Sequence, residues 1–147
     1  MKLIVFNGCE KNTLGCNVPD FSYLVDENEY SYFNSFEPFS RKISAPSGLR
    51  KELIVLFVAG KKVHLEKLLN IRKMMLNVRL VLVLPEENFD MIRMGHELYP
   101  RFLATADHSL DQIIPVLKNI VKRVRLTEEI EKLRYENLIQ PETSKEI

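Results

Sequence analysis

Two cysteines and three histidines are the residues of this chain best suited to metal binding, nucleophilic attack or proton transfer near neutral pH. Cys9 and Cys16 stand seven apart in Gly8-Cys9-Glu10-Lys11-Asn12-Thr13-Leu14-Gly15-Cys16. Zinc takes tighter pairs and four ligands. His64, His96 and His108 are scattered, so no metal site is expected. The two thiols are read as free or weakly redox-active, and a redox pair would need their close approach. His96 and His108 could act as general acid or base, since imidazole titrates near neutral pH. Neither has a nucleophile or carboxylate partner by motif. Glu97 adjoins His96, but adjacent residues on a helix point to different faces. Both are read as surface histidines. No catalytic motif survives inspection, and no cofactor is expected.

The other chemical candidates are backbone-rich turns. Gly60-Lys61-Lys62 lies after an apolar run and before a helical pattern, where open α/β sheets bind ligands. A phosphate cradle needs several glycines to bring backbone N–H groups onto the anion. One glycine supports a solvated turn better. Asn7 and Gly8 end the first apolar run in the same way.

The segments that must position these residues fall into a clear order after residue 52. Leu53-Ile54-Val55-Leu56-Phe57-Val58-Ala59 is continuously apolar and rich in strand formers, the pattern of a strand covered on both faces. His64 to Leu76 has helical spacing through Leu65, Leu68, Leu69, Met75 and Leu76. Leu80-Val81-Leu82-Val83-Leu84 is a second buried strand, stopped by Pro85. Asn88 can cap a helix through Ile92 and Leu98 that Pro100 ends. Phe102-Leu103-Ala104 is a third strand. Ser109-Leu110-Asp111-Gln112 matches a capping box. Ile113, Leu117, Ile120 and Val124 follow at helical spacing, with Pro115 predicting a kink or a later start. Strands alternating with helices imply a three-layer α/β fold with a mostly parallel sheet and right-handed crossovers.

The first fifty residues are harder to read. Lys2 to Phe6 is a short strand. Seven of the thirteen aromatics fall between Phe21 and Phe39. Tyr30, Tyr32 and Phe36 share a parity that hints at a strand near Glu29–Phe36, and Phe21–Val25 reads as another. No amphipathic helix is read here. The aromatics could stack bases, but five acids from Asp20 to Glu37 accompany them without any Lys or Arg, so core packing or a protein interface is expected. Met74, Met75, Met91 and Met94 are read as core or rim fillers.

Past Val124 the composition becomes charged and strongly helical. Leu126, Ile130, Leu133 and Asn137 follow the 4-3-4 spacing of a coiled-coil seam two heptads long. Residues 140–147 read as a frayed tail or linker. The expected division is a domain over 1–125 and a charged helix and tail over 126–147.

Composition narrows the classes. Apolar residues make up 46% and charged residues 28%, which fits a globular domain and excludes disorder for most of the chain. No apolar run approaches the ~20 residues a bilayer needs. The start is too short for a signal-peptide core, and a cytoplasmic location is expected. Net charge is +1, yet from Arg41 to Leu84 ten basic residues face two acids. That basic stretch could meet an anionic partner, although a near-neutral total does not favour phosphate-backbone binding.

From Glu52 to Arg125 the order strand, helix, strand, helix, strand, helix resembles the second half of a bacterial response-regulator receiver domain, which has a flavodoxin-like fold. Arg101 to Ile114 sits where a receiver has its fifth strand, lysine-proline turn and last helix. Glu52 to Phe57 sits where its third strand delivers the phosphoacceptor aspartate. Every chemical position departs from that family. The acceptor position falls on Phe57 or Val58, the hydroxyl on Leu84 or Pro85, and the lysine on Thr105. Near the first strand Glu10 is the lone acid. The resemblance therefore implies a pseudo-receiver, a phosphorylation-independent signalling or protein-interaction module with no enzymatic activity. By resemblance its contact face would include Arg93, His96, Tyr99 and Arg101, with Leu126, Ile130 and Leu133 in a dimer seam. Two alternatives stand beside it. One is a nucleotide or flavin site at Asn7, Gly8, Gly60 and Lys61. The other is nucleic-acid binding through residues 41–79. The partner expected is another protein, including a second copy of the chain, and no membrane.

Overall fold

A computed structural model describes residues 1–9, 18–45, 52–106 and 110–139. Five strands form one parallel sheet: β1 (Lys2–Asn7), β2 (Tyr30–Phe33), β3 (Leu53–Val58), β4 (Val78–Leu84) and β5 (Phe102–Thr105). Their spatial order is β2-β1-β3-β4-β5. Leu3 lies opposite Tyr30 on one side and Ile54 on the other, and the register continues through Val55–Leu80 and Val83–Ala104. Four helices complete the fold: α1 (Phe36–Ser44), α2 (Lys62–Asn70), α3 (Phe89–His96) and α4 (Ile113–Ile139).

The alternation of a strand sends successive residues to opposite faces. Leu3, Val5, Ile54, Leu56, Val58, Val81 and Val83 pack with Phe21, Val25 and the α4 residues Ile113, Leu117, Val121 and Val124. Ile4, Phe6, Val55, Phe57, Leu80, Leu82 and Leu84 pack with Phe39, Ile43, Leu65, Leu68 and Met91 of α1, α2 and α3. Both faces are covered, which is why β3 and, from Leu80 onward, β4 are continuously apolar rather than alternating.

The N-terminal third differs most from its sequence reading. Only Tyr30–Phe33 of the expected Glu29–Phe36 strand is extended. Phe21–Val25 is not a strand. Asp20 accepts the Ser22 N–H at 2.9 Å, the Leu24 N–H donates to the Phe21 carbonyl, and a 3-10 turn spans Ser22–Leu24 between buried Phe21 and Val25. A second such turn, Glu27–Glu29, is held by reciprocal bonds between Asp26 and Glu29. Helix α1 was not anticipated. Pro38 suggests a breaker, yet it occupies the third helical position, where its missing N–H costs no intrahelical bond. Phe36, Phe39 and Ile43 then give it an apolar stripe.

Later elements follow the sequence more closely. α2 is shorter than the expected His64–Leu76 helix, because Ile71 leaves helical geometry (φ −107°, ψ 18°) and Arg72–Met75 continues as a 3-10 turn. That placement leaves Met75 buried and Met74 half-exposed, while Met91 is buried and Met94 packs at the rim. Asn88 caps α3, accepting from the Asp90 and Met91 N–H groups at 2.9 and 3.3 Å. α3 stops at His96, before the expected Leu98. Ser109 of the expected capping box lies outside the described residues. α4 starts at Ile113, so Pro115 falls in its first turn and takes no bond from the helix. The helix then runs 27 residues without interruption, about 40 Å.

Candidate functional site

The C-terminal ends of the strands come first, because open α/β sheets bind ligands where the strand order reverses. Here that point lies between β1 and β3. The structure does bring Asn7, Gly8, Gly60 and Lys61 together there, but they pack on one another. A Cβ on Gly60 would lie 2.1 Å from the Gly8 carbonyl oxygen, and one on Gly8 would lie 2.6 Å from His64 Nδ1. The Gly8 N–H donates to the Val58 carbonyl at 2.8 Å. His64 Nδ1 accepts the Gly60 and Lys61 N–H groups at 3.0 and 3.2 Å. These backbone donors are spent on a side chain rather than left for a phosphate. The imidazole is held below its ordinary pKa by burial, with Lys67 and Lys61 adding repulsion. Its ring also stands edge-on to Phe6 at 5.4 Å. By sequence alone His64 reads only as a possible metal ligand. Its position, three residues past Lys61 at a helix start, is where a capping side chain reaches back to the first turn.

Neighbouring groups are likewise committed. Asn7 donates from Nδ2 to the Tyr32 hydroxyl at 3.0 Å and accepts the Cys9 N–H at 3.0 Å. Cys9 is disulfide-bonded and not the free thiol expected, a state that sequence spacing alone cannot settle. Cys16, Glu10 and His108 lie outside the described residues. Among the described residues no group of three His, Cys, Asp or Glu side chains could hold a metal ion. Phe57, Val58 and Leu84 are buried apolar residues, and Thr105 ends β5.

Beneath this end lies an aromatic cluster. Phe6 stacks on Phe57 at 4.4 Å, and Phe39 sits 5.4 Å from Phe6 and 5.5 Å from Phe57. Much of the N-terminal aromatic stretch is thus core. Tyr30 is half-buried, and burial, with Asp20 and Tyr32 nearby, pushes its hydroxyl pKa up to about 12. The basic stretch is dispersed over α1, α2, the Arg72–Met75 turn and β4. Within it Arg79 pairs with Glu52 at 2.6 Å and Lys67 lies over the Phe36 ring. Arg50 and Lys51 lie outside the described residues.

The other expected contact residues lie on α3 and towards the opposite end of the sheet. Arg93 and His96 are exposed on α3, one turn apart. Tyr99 is 86% exposed and holds φ at 50°, a left-handed conformation unusual for a tyrosine. Its N–H donates to the His96 carbonyl, and the next turn is closed by Arg101 N–H to the Leu80 carbonyl at 2.7 Å. Arg101 is exposed just before the edge strand β5.

α4 runs antiparallel to the strands and leaves the body at this same end. Its inward contacts finish at Glu128, whose carboxylate lies 3.0 Å from the Met1 amino group. Arg125 also donates to the Leu24 carbonyl at 3.1 Å. From Glu129 to Asn137 every residue is exposed. Leu126, Ile130 and Leu133 are 57%, 43% and 59% exposed. At 3.6 residues per turn their stripe lies about half a turn from the core stripe Ile113, Leu117, Val121 and Val124. The expected seam is therefore presented outward, away from the body.

No helix among the described residues is long and apolar enough to cross a membrane. No protein-family model, curated protein or solved structure matches the chain.

Proposed function

We propose that this chain is a non-catalytic protein-interaction module of the signalling type, a degenerate receiver that works without phosphorylation. Its partner is another protein, in the first instance a second copy. The observation that carries this reading is the outward stripe of Leu126, Ile130 and Leu133 on the free end of α4. Exposed large apolar side chains at heptad spacing are the surface two helices bury in pairing.

The strand order β2-β1-β3-β4-β5 supports the receiver-like and flavodoxin-like part, since that order is shared by those doubly wound sheets. The chemical positions of a receiver are filled here by Phe57 or Val58 and Leu84 or Pro85, whose apolar side chains neither accept nor hold a phosphoryl group, and by Thr105, which lacks the positive charge of the lysine it replaces. The crevice that would take a small ligand is occupied by Gly8, Gly60 and His64. Arg93, His96, Tyr99 and Arg101 lie at the same end as the free stretch of α4, so one partner could touch both. The test is sedimentation velocity on the Ile130→Ala, Leu133→Ala double variant. Loss of self-association supports the module, and a dimer of undiminished strength removes the seam.

A further inference from the structure

We infer that α4 pairs with α4 of a second copy in a parallel, in-register, two-stranded coil, and that residues 126–137 encode that orientation. This rests on the proposed role of α4 as a pairing helix.

In a seven-residue repeat, 4-3-4 spacing alternates between the two core sites, d and a. Leu126 and Leu133 then occupy d sites, while Ile130 and Asn137 occupy a sites. A β-branched residue at a with leucine at d is the combination that favours two parallel strands. Asn137 strengthens the choice. In a parallel, in-register pair it meets Asn137 of the second copy, and the two amides can bond to each other. In an antiparallel pair with the same core layers it would lie against Leu126 and leave its amide without a partner. A single asparagine at an a site is a known determinant of register and strand number.

The flanking charges point the same way. Glu129 precedes an a site and Arg134 follows a d site, and both are exposed. In parallel pairing the residue before an a site faces the residue five further along in the other helix. Glu129 therefore meets Arg134 of the second copy, twice by symmetry, as opposite charges. Antiparallel pairing instead sets Glu129 against Glu136, twice, as like charges. The seam lies on the far side of α4 from Leu117, Val121 and Val124, so the two sheets would sit outside the paired helices. The coil is short, about 18 Å from Leu126 to Asn137. Orientation is thus set by a few residues, and single charge reversals are readable.

The experiment is sedimentation equilibrium on the full chain in low salt, comparing the parent with Glu129→Arg, Arg134→Glu and the double exchange. All these sites are on the exposed stretch, so the fold is not at stake. Parallel pairing predicts that each single reversal weakens the dimer roughly five- to thirtyfold and that the double exchange restores it to within about threefold. Antiparallel pairing predicts the opposite sign for Glu129→Arg, which would then face Glu136 and tighten the dimer. A tighter dimer, or single reversals that change nothing, overturns the parallel arrangement. The two readings fail separately. A parent that stays monomeric removes the pairing helix itself. A parent dimer that Ile130→Ala, Leu133→Ala dissolves but Glu129→Arg tightens removes only the orientation.

Discussion

Replacing Gly60 by alanine tests the closed crevice directly. A Cβ there would fall 2.1 Å from the Gly8 carbonyl oxygen and 2.7 Å from its carbonyl carbon, both backbone atoms. A side chain could swing aside, but these atoms move only if the ends of β1 and β3 part by about an ångström. Such overpacking costs ~1–3 kcal/mol. Parting also strains the Gly8 N–H bond to Val58 and the bonds from Gly60 and Lys61 to His64. Each bond is worth ~0.5–1.5 kcal/mol. A total of about 3 kcal/mol lowers Tm by roughly 6–12 °C at this chain length. Gly95 supplies the contrast. A Cβ at Gly95 meets the Leu103 and Leu82 methyls at 3.2 Å, flexible ends that can yield. Alanine also gains up to about 1 kcal/mol of helix propensity there. The assay is thermal unfolding followed by far-ultraviolet circular dichroism. The expected order is a large drop for Gly60→Ala and a change near zero for Gly95→Ala. A Gly60→Ala variant melting within about 2 °C of the parent would refute the backbone closure, and with it the reason for setting aside a ligand at these strand ends.

Two further outcomes are expected. Phe39→Ala empties the centre of the aromatic cluster, where Phe39 is fully buried beside Phe6 and Phe57, and should cost ~3–5 kcal/mol in denaturant unfolding; a loss below 1 kcal/mol would show that the cluster is not packed. His64 binds its proton more weakly folded than unfolded, so its contribution to stability is complete above the ordinary 6.5 and is lost as pH falls below it. Melting curves between about pH 7.5 and 5.5 should therefore slope downward towards acid in the parent and flatten in His64→Gln, which keeps an acceptor but does not titrate; equal slopes would contradict the capping role.

The elements that were legible in the sequence are those whose pattern has one reading. β3 and the Leu80–Leu84 part of β4 are unbroken apolar runs followed by Gly60 and Pro85, and Asn88 is a cap with a mechanism. α1 was hidden because its apolar stripe is mostly phenylalanine and Pro38 reads as a breaker, though Phe36, Phe39 and Ile43 had helical spacing. The Phe21–Val25 segment misled because five residues rich in strand formers are too few to show a period, and the 3-10 turn is selected by local bonds, the Ser22 N–H to Asp20 and the Leu24 N–H to the Phe21 carbonyl. The outward stripe of α4 was visible as spacing, but its exposure depends on where the body ends, at Glu128 and Met1. His64 was the residue least legible by motif, because its role depends on Gly8 and Gly60 meeting across two strands distant in sequence.

The most direct test of the interaction reading is a native mass spectrum of the unmodified chain. Burying the exposed parts of Ile130 and Leu133 in both copies is worth about 3–6 kcal/mol, which corresponds to a Kd of roughly tens of micromolar to millimolar, so a dimer should be populated at chain concentrations of several hundred micromolar, carrying no bound small molecule. A monomer with one stoichiometric small molecule would contradict the reading and return attention to the strand ends around Gly8 and Gly60.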